Sequence, residues 1–120
     1  MAYDEFLADR ARQILRQQSV TFEEKKMMGG LCFMVDGKMC FGMHFDKSSG
    51  NSVLMARIGS DRYEKALEKE HCMEMRFTGR PMKGYVHVTE EGLDTDEALT
   101  YWIQLCLDFN PLAKSSKKKK

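Results

Sequence analysis

The stretch from Leu31 to Phe45, LCFMVDGKMCFGMHF, decides the fold class. Two apolar runs flank Asp36-Gly37, a dipeptide that suits a type I′ turn because both central residues need positive φ. A tight turn here predicts a β-hairpin in which Val35 pairs with Lys38, Phe33 with Cys40 and Cys32 with Phe41. Side chains alternate along a strand, so one face is expected to carry Cys32, Met34, Met39, Phe41, Met43 and Phe45. The other carries Leu31, Phe33, Val35, Lys38, Cys40, Gly42 and His44. The first face has no charge and is the expected core. The second is apolar near its middle, which makes Leu31, Phe33 and Val35 the expected self-association face, because exposed apolar patches and sheet edges favour association.

Upstream, apolar residues recur at Tyr3, Leu7, Ala11, Ile14 and Leu15, with charged residues mostly opposite. This pattern predicts an amphipathic helix over residues 3–18, acidic at its start and basic at its end. After a break, Lys25 to Met28 reads as a strand stopping at Gly29-Gly30. Downstream of the hairpin, a polar loop over 46–52 leads to a strand from Val53 to Ile58. Ser60 then caps a short helix reaching about Lys69, with Tyr63, Ala66 and Leu67 buried. Met73, Met75 and Phe77 alternate with Glu74, Arg76 and Thr78, the pattern of a half-buried strand. Gly79 to Gly84 reads as a turn because Pro81 has no backbone N–H, and Tyr85 to Val88 as the next strand. Asp94 opens the last helix with Glu97 reaching back to it, Leu99, Trp102, Ile103 and Cys106 share a face, and Pro111 ends it.

The expected fold is α+β, a two-layer arrangement of a mostly antiparallel sheet covered by helices, in the order α-β-β-β-β-α-β-β-α. One domain covers residues 1–111, and a disordered Lys-rich tail covers 112–120. The chain has 19 basic and 18 acidic residues, but five of the lysines lie in the tail, so the body carries 14 against 18 and is acidic. An acidic body without a basic groove argues against direct nucleic-acid binding. No stretch approaches the ~20 apolar residues that span a bilayer, and the start lacks a signal-peptide pattern, so a cytoplasmic location is expected. Cys32, Cys40, Cys72 and Cys106 have no Cys-x-x-Cys spacing, which disfavours a zinc ribbon or redox pair.

Several blocks together resemble the N-terminal domain of the TfoX/Sxy family. They are Met1 to Glu5, Lys25 to Phe33 followed by Asp36 to Met39, Arg57-Ile58-Gly59, Phe77 to Gly84, and Trp102. The resemblance runs to about residue 109, with Met28 where the family usually has phenylalanine. It implies a two-layer fold of the secretion-chaperone-like kind. Some family members regulate natural competence together with a cyclic-AMP-responsive transcription activator and carry a C-terminal domain; this chain is expected to be a stand-alone N-terminal domain.

The candidate chemistry is sparse. Arg80 and Lys83, with Arg76 beside them and Lys25, Lys26 and Arg57 on other strand ends, form a candidate anion or partner contact, because guanidinium groups bind carboxylate and phosphate through paired hydrogen bonds. The sulfur residues of the hairpin invite copper(I), but the register separates Cys32 from Cys40, and the methionines read as core fillers. No cofactor or metal is therefore expected. A nucleophile needs a base and an orienting group. His71 adjoins Cys72 but points to the opposite side of an extended chain, and no nucleophile elbow, phosphate loop or His-Glu-x-x-His motif occurs. The expected function is a non-enzymatic protein-interaction or regulatory module, forming a homodimer and taking a protein partner such as a transcription regulator. The competing reading is a small anionic-ligand-binding or enzymatic domain that uses the basic strand ends near Arg80.

Overall fold

A computed structural model describes residues 4–27, 30–46, 51–77 and 80–112. Helix α1 (Glu5–Gln17) is followed by strands β1 (Glu23–Met27), β2 (Gly30–Val35), β3 (Lys38–Asp46) and β4 (Asn51–Arg57), helix α2 (Ser60–Leu67), strands β5 (Cys72–Phe77) and β6 (Arg80–Thr89), and helix α3 (Asp96–Phe109). The order is the expected one, and all five strand pairings are antiparallel. The sheet runs β1-β2-β3-β4-β6-β5, so α2 carries the chain past the position that β6 then fills.

The hairpin turn forms as expected, with Asp36 at φ 57° and Gly37 at φ 74°. Its register does not. Val35 faces Lys38 and Met34 faces Met39, but Phe33 faces Phe41, Cys32 faces Gly42 and Leu31 faces Met43. One extra residue, Cys40, is taken up as a β-bulge, which places two successive residues on one side. Phe41 and Met43 thereby join Leu31 and Phe33 instead of Cys32 and Met34. The Phe33 and Phe41 rings stack, with centroids 4.7 Å apart at 15°.

The buried residues of all three helices join this face in a single core. Leu7, Ala11 and Leu15 of α1, Tyr63 and Ala66 of α2, and Leu99, Trp102, Ile103 and Cys106 of α3 pack with Leu31, Phe33, Phe41, Met43, Leu54, Ala56, Val86 and Val88. The expected self-association face is thus corrected: Leu31 and Phe33 are interior, and Val35 packs against them half-buried. The bulge is the physical reason.

Capping and charge set the helix ends. Asp4 caps α1 by accepting from the Phe6 N–H at 2.9 Å. Thr95, not Asp94, caps α3, its hydroxyl accepting from the Ala98 N–H at 3.0 Å, because a short 3-10 helix (Glu90–Leu93) uses Asp94 to close itself. Gly59, not Ser60, occupies the N-cap position of α2. Arg12 ties α1 to β1 with a two-pronged grip on Glu24, at 2.6 and 3.0 Å, and also meets Asp9. The hydrogen bond to Glu24 is the main reason that its guanidinium is held more firmly protonated than usual.

Pro81 lies inside β6, opposite Arg76, and not in a turn. β4 pairs with β6 only from Tyr85 to Thr89, so the missing N–H of Pro81 costs no bond on the β4 side. Met28, Gly29, Thr78, Gly79 and residues 113–120 of the expected tail lie outside the described residues.

The register makes a measurable difference. Phe33→Ala is expected to lower unfolding free energy by about 3–5 kcal/mol in urea titration, as for a fully buried aromatic. Phe45→Ala, at a residue 37 % exposed, is expected to cost under about 1 kcal/mol. Equal small losses at both positions would contradict the bulged pairing.

Candidate functional site

The sheet face turned away from the helices is built by the residues left over when the core face is filled. Across the strands, Cys32 faces Gly42, Gly42 faces Met55, Met55 faces His87 and His87 faces Met73. Neighbouring rows hold His44, Val53 and Thr89, then Arg57 and Tyr85. Cys32, Met34 and Met55 form a second small buried cluster, with Met39 and Tyr85 packed against it. The Cys32 thiol lies 3.9 Å from the Met39 sulfur. His44 and His87 meet edge to face, 5.2 Å between centroids. Met73 is about half exposed on the same face.

At the end of β4 this face runs into a cleft of about 310 Å³ lined by Arg57, Gly59, Ser60, Lys83, Gly84, Tyr85, Phe109 and Leu112. Its floor depends on two glycines. The Gly84 carbonyl accepts from the Ile58 and Gly59 N–H groups at 2.9 and 3.1 Å, and both glycines have positive φ. A Cβ on Gly59 would stand 2.5 Å from the Phe109 ring, so the end of α3 closes on this backbone only because the side chain is missing. The Arg57 guanidinium lies 5.6 Å from the Tyr85 ring centre and 5.8 Å from that of Phe109, and donates to the Met39 carbonyl at 3.3 Å. Aromatic walls around a cation, with Lys83 exposed at the rim, make a setting for a carboxylate-bearing side chain.

Of the six basic residues expected to gather, Arg57 and Lys83 meet in this cleft. Lys25 and Lys26 are exposed on edge strand β1, three strands away from β4, and point to opposite faces because they pair with Cys32 and Leu31. Arg76 and Arg80 belong to β5 and β6, but their side chains lie outside the described residues. The cleft residues that the sequence reading missed are Tyr85, Phe109 and the Gly59–Gly84 contact. Gly59 and Gly84 are 25 positions apart, and only folding reveals that they touch.

The four cysteines are free and buried. Burial pushes the Cys40 thiol up to about 12, partly offset by the charge of Arg57, and the Cys72 thiol up to about 11, partly offset by Lys69. Burial raises Cys32 as well, and holds Cys106 well above the ordinary thiol range. At neutral pH these groups are thiols and not nucleophilic thiolates. Among the described residues no three His, Cys, Asp or Glu side chains gather as a metal site would need, and no helix is long and apolar enough to cross a membrane.

Two outcomes follow for the thiols. Disulfide-exchange reagents at pH 8 are expected to react far more slowly with native than with denatured protein. The unfolded chain loses its thiol protons first, so the stabilisation from protonated Cys40 and Cys72 is complete below about pH 8.5. It fades as pH rises through about 11 and 12. Thermal midpoints that stay flat over that alkaline range would contradict this assignment.

A search of curated proteins and a search of solved structures each returned no match. A family model, the TfoX N-terminal domain, matches residues 14–110. That match spans more than half of the chain, from within α1 to the residue after α3, and the protein belongs to the TfoX N-terminal domain family.

Proposed function

We propose that this protein is a non-enzymatic regulatory module of the cytoplasm that acts by binding another protein, a transcription regulator, in the manner of the TfoX/Sxy competence regulators. Family membership supports the regulatory class. The observation that carries the binding mode is the sheet face opposite the helices, where Met73 is exposed and Met39 and Tyr85 lie half-buried over the buried Met34 and Met55. Unbranched thioether side chains adapt to different partner surfaces, and Tyr85 beside Arg57 adds the aromatic and cationic groups that anchor protein interfaces. An acidic side chain of the partner fits the adjoining cleft.

A homodimer belongs to the same reading. Its contact is not Leu31, Phe33 and Val35, which serve the core. Of the two sheet edges, β1 presents Glu23, Glu24, Lys25 and Lys26, charges that discourage strand addition, while β5 carries only the charges of Glu74 and Arg76 and is the edge for a second copy.

Affinity capture from the native cell with wild type and with Tyr85→Glu tests the partner. A transcription regulator recovered with wild type and reduced at least tenfold with the folded variant is the expected result. No regulator recovered, or equal recovery with both, defeats the reading. A concentration-independent monomer mass in sedimentation would end the homodimer part alone.

A further inference from the structure

Two hollows meet at the end of α3. The cleft that holds Arg57 and Lys83, about 310 Å³, shares Gly59, Ser60, Phe109 and Leu112 with a second hollow of about 320 Å³ that reaches Asp61, Arg62 and Asp108. The first matches the lower end of the range of roughly 300–1,000 Å³ found for small-molecule sites. Its walls are of two kinds. Tyr85 and Phe109, both half-buried, and Leu112, 74 % exposed, offer surface that an apolar body would take out of water. Arg57 and Lys83 supply charge, and none of the residues lining this cleft is acidic. The Arg57 guanidinium is held in place by the Met39 carbonyl and by the rings of Tyr85 and Phe109. Lys83 is exposed and makes no ion pair among the described residues. Helix α2 starts at Ser60 on the same wall without a side-chain cap, so its first N–H groups and its dipole add to the attraction for an anion.

We propose that this cleft binds a small amphipathic carboxylate, a free acid with one negative charge and an apolar body about the size of one aromatic ring. The carboxylate meets Arg57 and Lys83, and the body lies along Phe109 and Leu112. A guanidinium takes carboxylate oxygens through paired hydrogen bonds, and the ammonium adds a point charge. The charge count selects a carboxylate over a phosphate monoester. Arg57 and Lys83 bring two positive charges, Asp61 in the adjoining hollow brings one negative, and the paired Arg62 and Asp108 cancel. One carboxylate brings the sum to zero, whereas a phosphate monoester, at about −1.5 to −2, overshoots it. The cleft is the one that the partner reading assigns to an acidic side chain, so a bound acid competes with the partner there, and that consequence rests on the partner reading. Binding itself concerns the purified chain alone, and either reading can fail without the other.

The test titrates the isotope-labelled full-length protein with phenylacetate and follows backbone amide signals by NMR, with phenylacetamide, acetate and inorganic phosphate as comparison probes. The expected result is saturable one-site binding at millimolar concentrations or below, which moves the Ser60, Gly84, Tyr85 and Phe109 signals and leaves those of α1 in place. Phenylacetamide, which lacks the charge, and acetate, which lacks the ring, are each expected to bind at least tenfold more weakly, and phosphate no better than acetate. Arg57→Gln and Lys83→Glu are each expected to weaken phenylacetate binding at least tenfold. Because Lys83 is exposed, its variant decides the matter if Arg57→Gln does not fold. Absence of saturable shifts overturns the site, as does amide binding equal to that of the acid or wild-type affinity in Lys83→Glu. Phosphate binding tighter than phenylacetate overturns the carboxylate assignment.

Discussion

The rings of Phe33 and Phe41 stack because β3 carries one more residue than β2 between Met39 and Phe41. Without the bulge at Cys40, strict alternation would send Phe41 and Met43 to the face of Cys32 and Met34. Leu31 and Phe33 would then lack their cross-strand partners. With it, four large apolar side chains from two strands point the same way, and fully burying each contributes roughly 1.5–3 kcal/mol. The amphipathic stripes of all three helices close on that surface. Cys40 itself is interior, which is why a small apolar side chain suits the extra position.

The helix layer is held to the hairpin at its far end by one buried polar residue. Asn110, 3 % exposed, donates its side-chain amide to the Val35 carbonyl at 3.1 Å, and its own carbonyl accepts from Lys38 at 3.1 Å. The residues flanking the Asp36-Gly37 turn are therefore both bonded to the end of α3. Phe109, one residue earlier, lies against Gly59 and beside Arg57. A single helix terminus thus locks the turn, fits the start of α2 and forms one wall of the cleft. Buried polar groups of this kind need partners, and the partners found here specify how α3 meets the sheet.

Filling one face so completely leaves the other to adaptable groups. Cysteine and methionine sulfurs, two contacting histidines, Tyr85 and Arg57 share the sheet face that none of the described helices covers. The acidic balance of the body and the charged edge strand β1 both oppose nonspecific association.

Local chemistry in the sequence was enough to determine the element order, the Asp36-Gly37 turn, the antiparallel character, the helix stripes with Tyr63, Ala66, Leu99, Trp102, Ile103 and Cys106, and the family. All but the family depend on residues within a few positions of one another, and the family rests on several such short blocks in order along the chain. The bulge was not legible, because a one-residue slip leaves the apolar pattern of MCFGMHF intact while exchanging its faces. Pro81 in a strand was not legible either, since its tolerance depends on where β4 ends. The cleft joins Arg57 to Lys83 and Gly59 to Gly84 and Phe109, and the sulfur cluster joins Cys32 to Met55. These meetings were decided by the tertiary structure alone, because strand register and the closing of α3, not sequence spacing, bring distant side chains within reach.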